Sequence, residues 1–334
     1  MLHGFTIALV VVLCLAVSFD YINGFHDTAN AIATSVATRA LRPSHAVLMA
    51  AFFNFAGAFA GTAVATTIGA GLVSAQTTTQ VVVAASLVGA IAWNLITWRL
   101  GLPSSSSHAL IGGLLGATVV AAGTGALKLD GIVGKVLVPL VSSPIIGFAG
   151  ALLLMALLTR VFFRAPRKPL ARAFRRVQVL SAAYMAFAHG SNDAQKTMGV
   201  ITLALFSAGL VRSIQVPPWV IVVSASAISL GTAVGGWRIM KTMGHRVVDL
   251  EPIHGFAAET TAATVILGAA HLGMPVSTTH VISSAIMGVG TSQGLRGVRW
   301  GVAGDILTAW VLTLPASAVM GAGCWLVLTV LGAR

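Results

Sequence analysis

The stretch Gly24-Phe25-His26-Asp27-Thr28-Ala29-Asn30 places a carboxylate and an amide inside a segment otherwise apolar enough to lie in a bilayer. An apolar run at 5–19 precedes it, and a further helical stretch at 29–37 follows. A carboxylate at the centre of a membrane helix costs about 2.5–3.5 kcal/mol on insertion scales. A membrane chain retains such a residue by giving it a partner: an ion, a substrate or another side chain. The element recurs 166 positions later as Gly190-Ser191-Asn192-Asp193-Ala194-Gln195-Lys196.

The surroundings of the pair are those of a membrane protein. Of 334 residues, 57% are hydrophobic and 8% charged, whereas a soluble domain carries about 25% charge. Long apolar runs recur at 46–65, 81–95, 136–158, 220–234 and 303–331. Several are long enough to cross roughly 30 Å of hydrocarbon, which takes about 20 helical residues. No basic region precedes the first run, so it reads as a crossing rather than a cleaved leader. The expected class is an all-α polytopic membrane protein. Cys14 and Cys324 sit in apolar runs near opposite ends of the chain, as small packing residues with no metal-ligand spacing.

The two halves align at nearly constant offset. Gly24 and Asp27 match Gly190 and Asp193; Gly61-Thr62-Ala63-Val64 matches Gly231-Thr232-Ala233-Val234; Leu100 through His108 matches Leu272 through His280; Pro144 matches Pro315. Four matches in one order define two repeats. The expected division is a first membrane repeat at 1–163, a basic linker at 164–176 and a second repeat at 177–334. Each repeat reads as about five segments, with broken or re-entrant helices at the midplane. An odd number of crossings inverts the second repeat relative to the first.

Charge agrees with inversion. The net charge of +12 could suggest nucleic acid, but its distribution argues otherwise. Arg160, Arg164, Arg167, Lys168, Arg172, Arg175 and Arg176 crowd around the linker with no acid among them. That is the positive-inside signature of a cytoplasmic segment beside anionic lipid. With this segment inside, only Lys128, Lys135, Arg212 and Arg334 fall outside, while Lys196 lies within the membrane. Both termini are then expected outside, in a multi-pass protein of the cell membrane. Inverted repeats around a central site are the pattern of secondary transporters.

The chemistry sits at matched positions. Pro103-Ser104-Ser105-Ser106-Ser107-His108 opens one apolar helix, and Pro275-Val276-Ser277-Thr278-Thr279-His280 opens its twin. Proline followed by hydroxyl residues is a helix-start signal. A helix that starts part-way through a membrane leaves its first N–H groups without intrahelical acceptors and favours an anion there. One copy could equally be a capped start at the membrane surface. Two matched copies, each ending in histidine, argue for a paired oxyanion site. The candidate substrate ligands are Ser104, Ser105, Ser106, Ser107, Ser277, Thr278 and Thr279, with Asn192, Gln195 and Lys196 of the second motif. Asp27, Asn30, Asp193 and Glu259 are candidate cation or proton carriers, since an anion entering against a negative interior needs a co-transported cation. No dedicated metal site is expected, though Asp27 and Asn30 could hold a sodium ion. His26, His108, His189 and His280 are candidate proton relays. Asp20 and Asp305 read as residues near an interface.

On these motifs the sequence resembles the PiT family of inorganic phosphate transporters, in its bacterial low-affinity form. The carriers are the two Asp motifs, Ser105-Ser106-Ser107-His108 and Ser277-Thr278-Thr279-His280, and the resemblance covers nearly the whole chain. It implies an inverted-repeat fold, often dimeric, with re-entrant hairpins and cation-coupled phosphate uptake. It also implies that Asp27, Asn30, Asp193 and the hydroxyl clusters supply the substrate and cation ligands. Members often carry asparagine three residues after each aspartate; here the second copy has Lys196. An ammonium one turn from Asp193 could occupy a cation's place, which favours protons over sodium as coupling ion. The expected ligand is inorganic phosphate, free or as a metal–phosphate complex, with no further cofactor. A sulfate permease of the same family is the alternative. Phosphate can donate protons to Asp27 or Asp193 and sulfate cannot. An intramembrane enzyme is disfavoured, since Ser107 and His108 are chain neighbours rather than a catalytic constellation.

Overall fold

In hydrocarbon each backbone N–H and C=O must be satisfied within its own segment, which leaves helices as the solution for these apolar runs. The computed structural model describes residues 6–333; residues 1–5, where the first apolar run begins, and Arg334 lie outside the described part. The first repeat contains α1 (Ile7–Ala37), α2 (Pro43–Gly57), α3 (Ala63–Thr66), α4 (Gln80–Leu100), α5 (Ser106–Ala122), α6 (Leu129–Ile132) and α7 (Val138–Val161). The second contains α8 (Arg167–Ser207), α9 (Pro218–Val234), α10 (Trp237–Lys241), α11 (Pro252–His271), α12 (Thr278–Thr291) and α13 (Trp300–Val330). No strand occurs among the described residues.

The repeat is visible element by element. A π-helical turn follows α3 at Thr67–Gly71 and follows α10 at Thr242–Arg246. Pro144 and Pro315 both lie inside long helices, α7 and α13. The repeats also exchange partners: α1 packs along α9 as α8 packs along α2, and α5 lies on α13 as α12 lies on α7. Each half therefore completes the other.

The expected segments are all present as helices, but they are unequal. Among the described residues, Ile7–Ala37, Gln80–Leu100, Leu129–Val161 and Trp300–Val330 are each long and apolar enough to cross a membrane alone. The pair α9–α10 passes only as a span bent by 60°. Helices α5 and α12 have 17 and 14 residues. At 1.5 Å per residue they fall short of roughly 30 Å of hydrocarbon, as helices that start within a membrane do.

Three sequence expectations change. The basic linker is not a loop: from Arg167 onward it is the start of the 41-residue α8. Its Arg, Lys, Leu and Ala residues are strong helix formers, and Pro169 falls in the first turn, where proline is tolerated. The match of Gly61 with Gly231 is displaced by one helical turn. Gly231 lies in α9 against the Tyr21 carbonyl of α1, and the residue lying against the equivalent Phe187 carbonyl of α8 is Gly57. Gly61 sits in the break before α3. A slip of four residues keeps the same helix face, so sequence periodicity does not register it. Asp20, expected near an interface, is fully buried.

The motif glycines fix where the helices cross. A Cβ at Gly24 would run into the backbone of Ile228, Gly231 and Thr232 on α9, and one at Gly190 into the backbone of Asn54 on α2. Small residues permit this approach, as at many membrane helix interfaces. Each crossing lies three residues before an aspartate, so Asp27 and Asp193 emerge at equivalent depths.

Candidate functional site

The two hydroxyl-rich helix starts meet at the two aspartates. Ser105 accepts from the His108 N–H at 3.1 Å, and Ser277 accepts from the His280 N–H at 3.2 Å. These are matching N-caps of α5 and α12. Pro103 and Pro275 cannot continue a helix from the preceding turn, so both starts are set at the same point of each repeat. The tip of α5 reaches the α12 approach directly, since Ser107 Oγ donates to the Val276 carbonyl at 3.4 Å.

Around α1, His26 Nδ1 lies 2.7 Å from Asp27 Oδ1 and its Nε2 lies 3.1 Å from Thr97 Oγ1. Ser104 donates to Thr97 at 2.8 Å, and the Ser104 and Ser106 hydroxyls each lie 3.5 Å from the His26 ring. Asn30 Nδ2 donates to Thr279 at 2.9 Å and to Thr278 at 3.3 Å. Thr279 in turn lies 3.5 Å from Asp27 Oδ1, while Asn30 Oδ1 is buried without a hydrogen-bond partner.

Around α8, His189 Nε2 is 3.4 Å from Asp193 Oδ2, and Thr278 donates to the same oxygen at 3.4 Å. His189 Nδ1 is held by Asn54 at 3.0 Å. Lys196 is 1% exposed, and its ammonium lies 2.5 Å from Asp193 Oδ1 and 3.1 Å from the Val276 carbonyl. It also donates to Ser107. Ligand atoms of Asp27, His189 and Asp193 lie within 4.8 Å of one another, close enough to share one cation. Both repeats thus feed one buried cluster of carboxylates, hydroxyls and helix N-termini.

Not every candidate joins it. Gln195 turns away: its amide donates to the Ser191 carbonyl at 2.6 Å and its oxygen accepts the Val64 N–H at 2.9 Å, which caps the start of α3. Asn192 reaches the Met274 carbonyl at 3.5 Å and leaves its own oxygen unpartnered. His108 and His280 face each other with ring centroids 4.8 Å apart, and His280 stacks on Trp310 at 4.0 Å. Glu259 forms a separate group. Thr34 donates to its Oε1 at 2.5 Å, Gln178 to the same oxygen at 3.1 Å, and Ser181 to Oε2.

Thr97, Asn54, Gln178 and Ser181 were not among the sequence candidates. The available signal was a polar side chain inside an apolar run, clearest for Asn54 in Ala51-Phe52-Phe53-Asn54-Phe55-Ala56.

Comparison with known proteins places this geometry in context. A family model described as "Phosphate transporter family" matches twice, over residues 23–172 and 164–321. A relative from Bacillus subtilis (strain 168), named "Probable low-affinity inorganic phosphate transporter", is 48% identical over 97% of this chain and 98% of its own length. A relative of the same name from Rhizobium meliloti (strain 1021) is 48% identical over 95% of each chain. A solved structure described as "The sodium-dependent phosphate transporter" superposes with a TM-score of 0.85 at 26% identity, over 97% of this chain and all of its own.

Proposed function

The chain belongs to the phosphate transporter family, and from that premise we propose a secondary active symporter that imports inorganic phosphate with a cation by alternating access. The observation that carries the proposal is the meeting of two inverted helix starts at two buried aspartates. The first N–H groups of α5 and α12 and the hydroxyls of Ser106, Ser107, Thr278 and Thr279 offer donors to a tetrahedral oxyanion from both repeats. The carboxylates of Asp27 and Asp193 supply the opposing charge, which a co-transported cation offsets. The basic stretch at the start of α8 faces the cytoplasm of the cell membrane in this reading, and the two termini face outward. The relatives compared above are named for phosphate and not for sulfate.

The two halves of the site are chemically unequal, and this bears on the coupling ion. The Lys196 ammonium occupies Asp193, whereas Asp27 is met by His26 and Thr279 and by no lysine or arginine, and the Asn30 oxygen is unpartnered. With one cation place filled by the protein, protons are the favoured coupling ion. Sodium at Asp27 and Asn30 is the second reading, favoured by the description of the structural neighbour.

The test is uptake of radiolabelled phosphate into proteoliposomes under an imposed proton gradient or an imposed sodium gradient, with excess sulfate as competitor. Proton-driven uptake untouched by sulfate is expected. Sodium-driven uptake would keep the symporter and replace the coupling ion. Sulfate uptake in place of phosphate under both gradients would overturn the substrate.

A further inference from the structure

One buried acid is not used by the site described above. Asp20 is 0% exposed, and neither carboxylate oxygen has a hydrogen-bond partner. It lies on α1 two turns before Asp27, about 10 Å along the helix axis and on the same face. Asn23, from the next turn, and Thr197, from α8, are the side chains near enough to offer it hydrogen-bond donors. Asn23 Oδ1 and Thr197 Oγ1 are themselves buried and unpartnered. Four oxygen atoms from three side chains are therefore brought together, and the donors beside the carboxylate, the Thr197 hydroxyl and the Asn23 amide, approach it without making a full hydrogen bond.

An ionised carboxylate in that position is expensive, because burial removes its water and the Asn23 and Thr197 side chains replace only part of it. The ammonium of Lys196 acts on it only across a gap. Its bonds go to Asp193, Ser107 and the Val276 carbonyl. The other charge on α8 that acts on Asp20 is Asp193, which repels it. Helix α9, packed along α1, carries no titratable residue; α4 carries only Arg99, exposed near its far end; His108 of α5 is turned to His280. What this cluster lacks is a positive charge small enough to sit among oxygens. Hard oxygen donors suit that role.

We propose that Asp20, with Asn23 and Thr197, binds one monovalent cation, a proton or sodium, at a site two turns of α1 away from the phosphate site. This rests on the symport reading and assigns it a second cation position. The coupling needs no contact. While Asp20 is anionic, its charge repels both Asp193 and an anion bound beside it. A cation on Asp20 cancels a negative charge near the anion site, so each ligand raises the affinity for the other by the same factor.

The experiment compares wild type with Asp20→Asn, Asp20→Glu and Thr197→Val in proteoliposomes. The cation-to-phosphate stoichiometry is read from the gradient at which net flux reverses. One arm varies pH without sodium, and the other varies sodium at fixed pH; the arm that drives the wild type identifies the ion. Asp20→Asn should lower the stoichiometry by one cation per phosphate, and Asp20→Glu should restore it. Thr197→Val should raise the cation concentration for half-maximal uptake about 10-fold, the equivalent of one lost ligand at 1.4 kcal/mol per decade, with phosphate KM at saturating cation unchanged. Should Asp20→Asn fail to fold, Thr197→Val decides alone. Unchanged stoichiometry in Asp20→Asn, or unchanged cation dependence in Thr197→Val, overturns the site and leaves the symport reading standing. A wild type that takes up no phosphate under either gradient overturns both.

Discussion

The ammonium of Lys196 lies 2.5 Å from the carboxylate of Asp193, one helical turn away on α8, with both side chains buried. The same ammonium also reaches Ser107 on α5 and the Val276 carbonyl ahead of α12. One side chain therefore links the second acidic motif to both helix starts, and no residue does so from the first motif.

Lys196→Asn should convert uptake from proton dependence to sodium dependence, because it restores an oxygen ligand where the ammonium sits. It also strips a buried carboxylate of its partner, which costs about 3–5 kcal/mol when nothing replaces it. The Tm should fall in sodium-free buffer and recover as sodium is added. An ion dependence identical to wild type would remove the role given to Lys196.

Asp27→Asn should reduce phosphate uptake by at least tens-fold, since bonds to a charged group are worth about 1.5–3 kcal/mol each and Asp27 engages both His26 and Thr279. Initial rates at saturating phosphate provide the check. Near wild-type rates would mean that the carboxylate of the first motif carries no cation.

Glu259 stands apart from the two aspartates, held by Thr34, Gln178 and Ser181 across α1, α8 and α11. Glu259→Gln keeps the shape and removes the charge. Equilibrium binding of phosphate should stay within about 2-fold of wild type, while the cation dependence of uptake changes. A loss of phosphate binding equal to that of Asp27→Asn would place Glu259 in the substrate site instead.

Gly190→Val should be severely destabilising, because its Cβ has no room beside Asn54 and the two helices must part. Overpacking of this kind costs about 1–3 kcal/mol or more. Gly268→Ala is the control: its Cβ meets nothing within 4 Å, and alanine gains up to about 1 kcal/mol of helix propensity. Thermal unfolding in detergent should separate the pair, with Gly190→Val unfolding earlier and Gly268→Ala at or above the wild-type temperature.

Much of this protein was legible along the chain itself. Hydropathy, the twin Asp27 and Asp193 motifs and the twin starts at Ser105 and Ser277 depend on residues within a few positions of one another. Repeated local signals therefore identified a two-repeat membrane protein and pointed to the aspartates and hydroxyls. Tertiary structure decided everything that depends on which helix meets which. It set Thr97 on His26, Asn54 on His189 and Val276 under Lys196, pairs separated by between 71 and 135 residues. It turned Gln195 toward Val64, drew Glu259 into a separate group, and moved the partner of Gly231 from Gly61 to Gly57. It also buried Asp20, whose place just after the apolar run at 5–19 reads the same for an interfacial acid as for a buried one. The physical reason is common to all of these. Local pattern reports which face of a helix is apolar, but the depth of a side chain and the identity of its partner arise only when helices distant in sequence pack together.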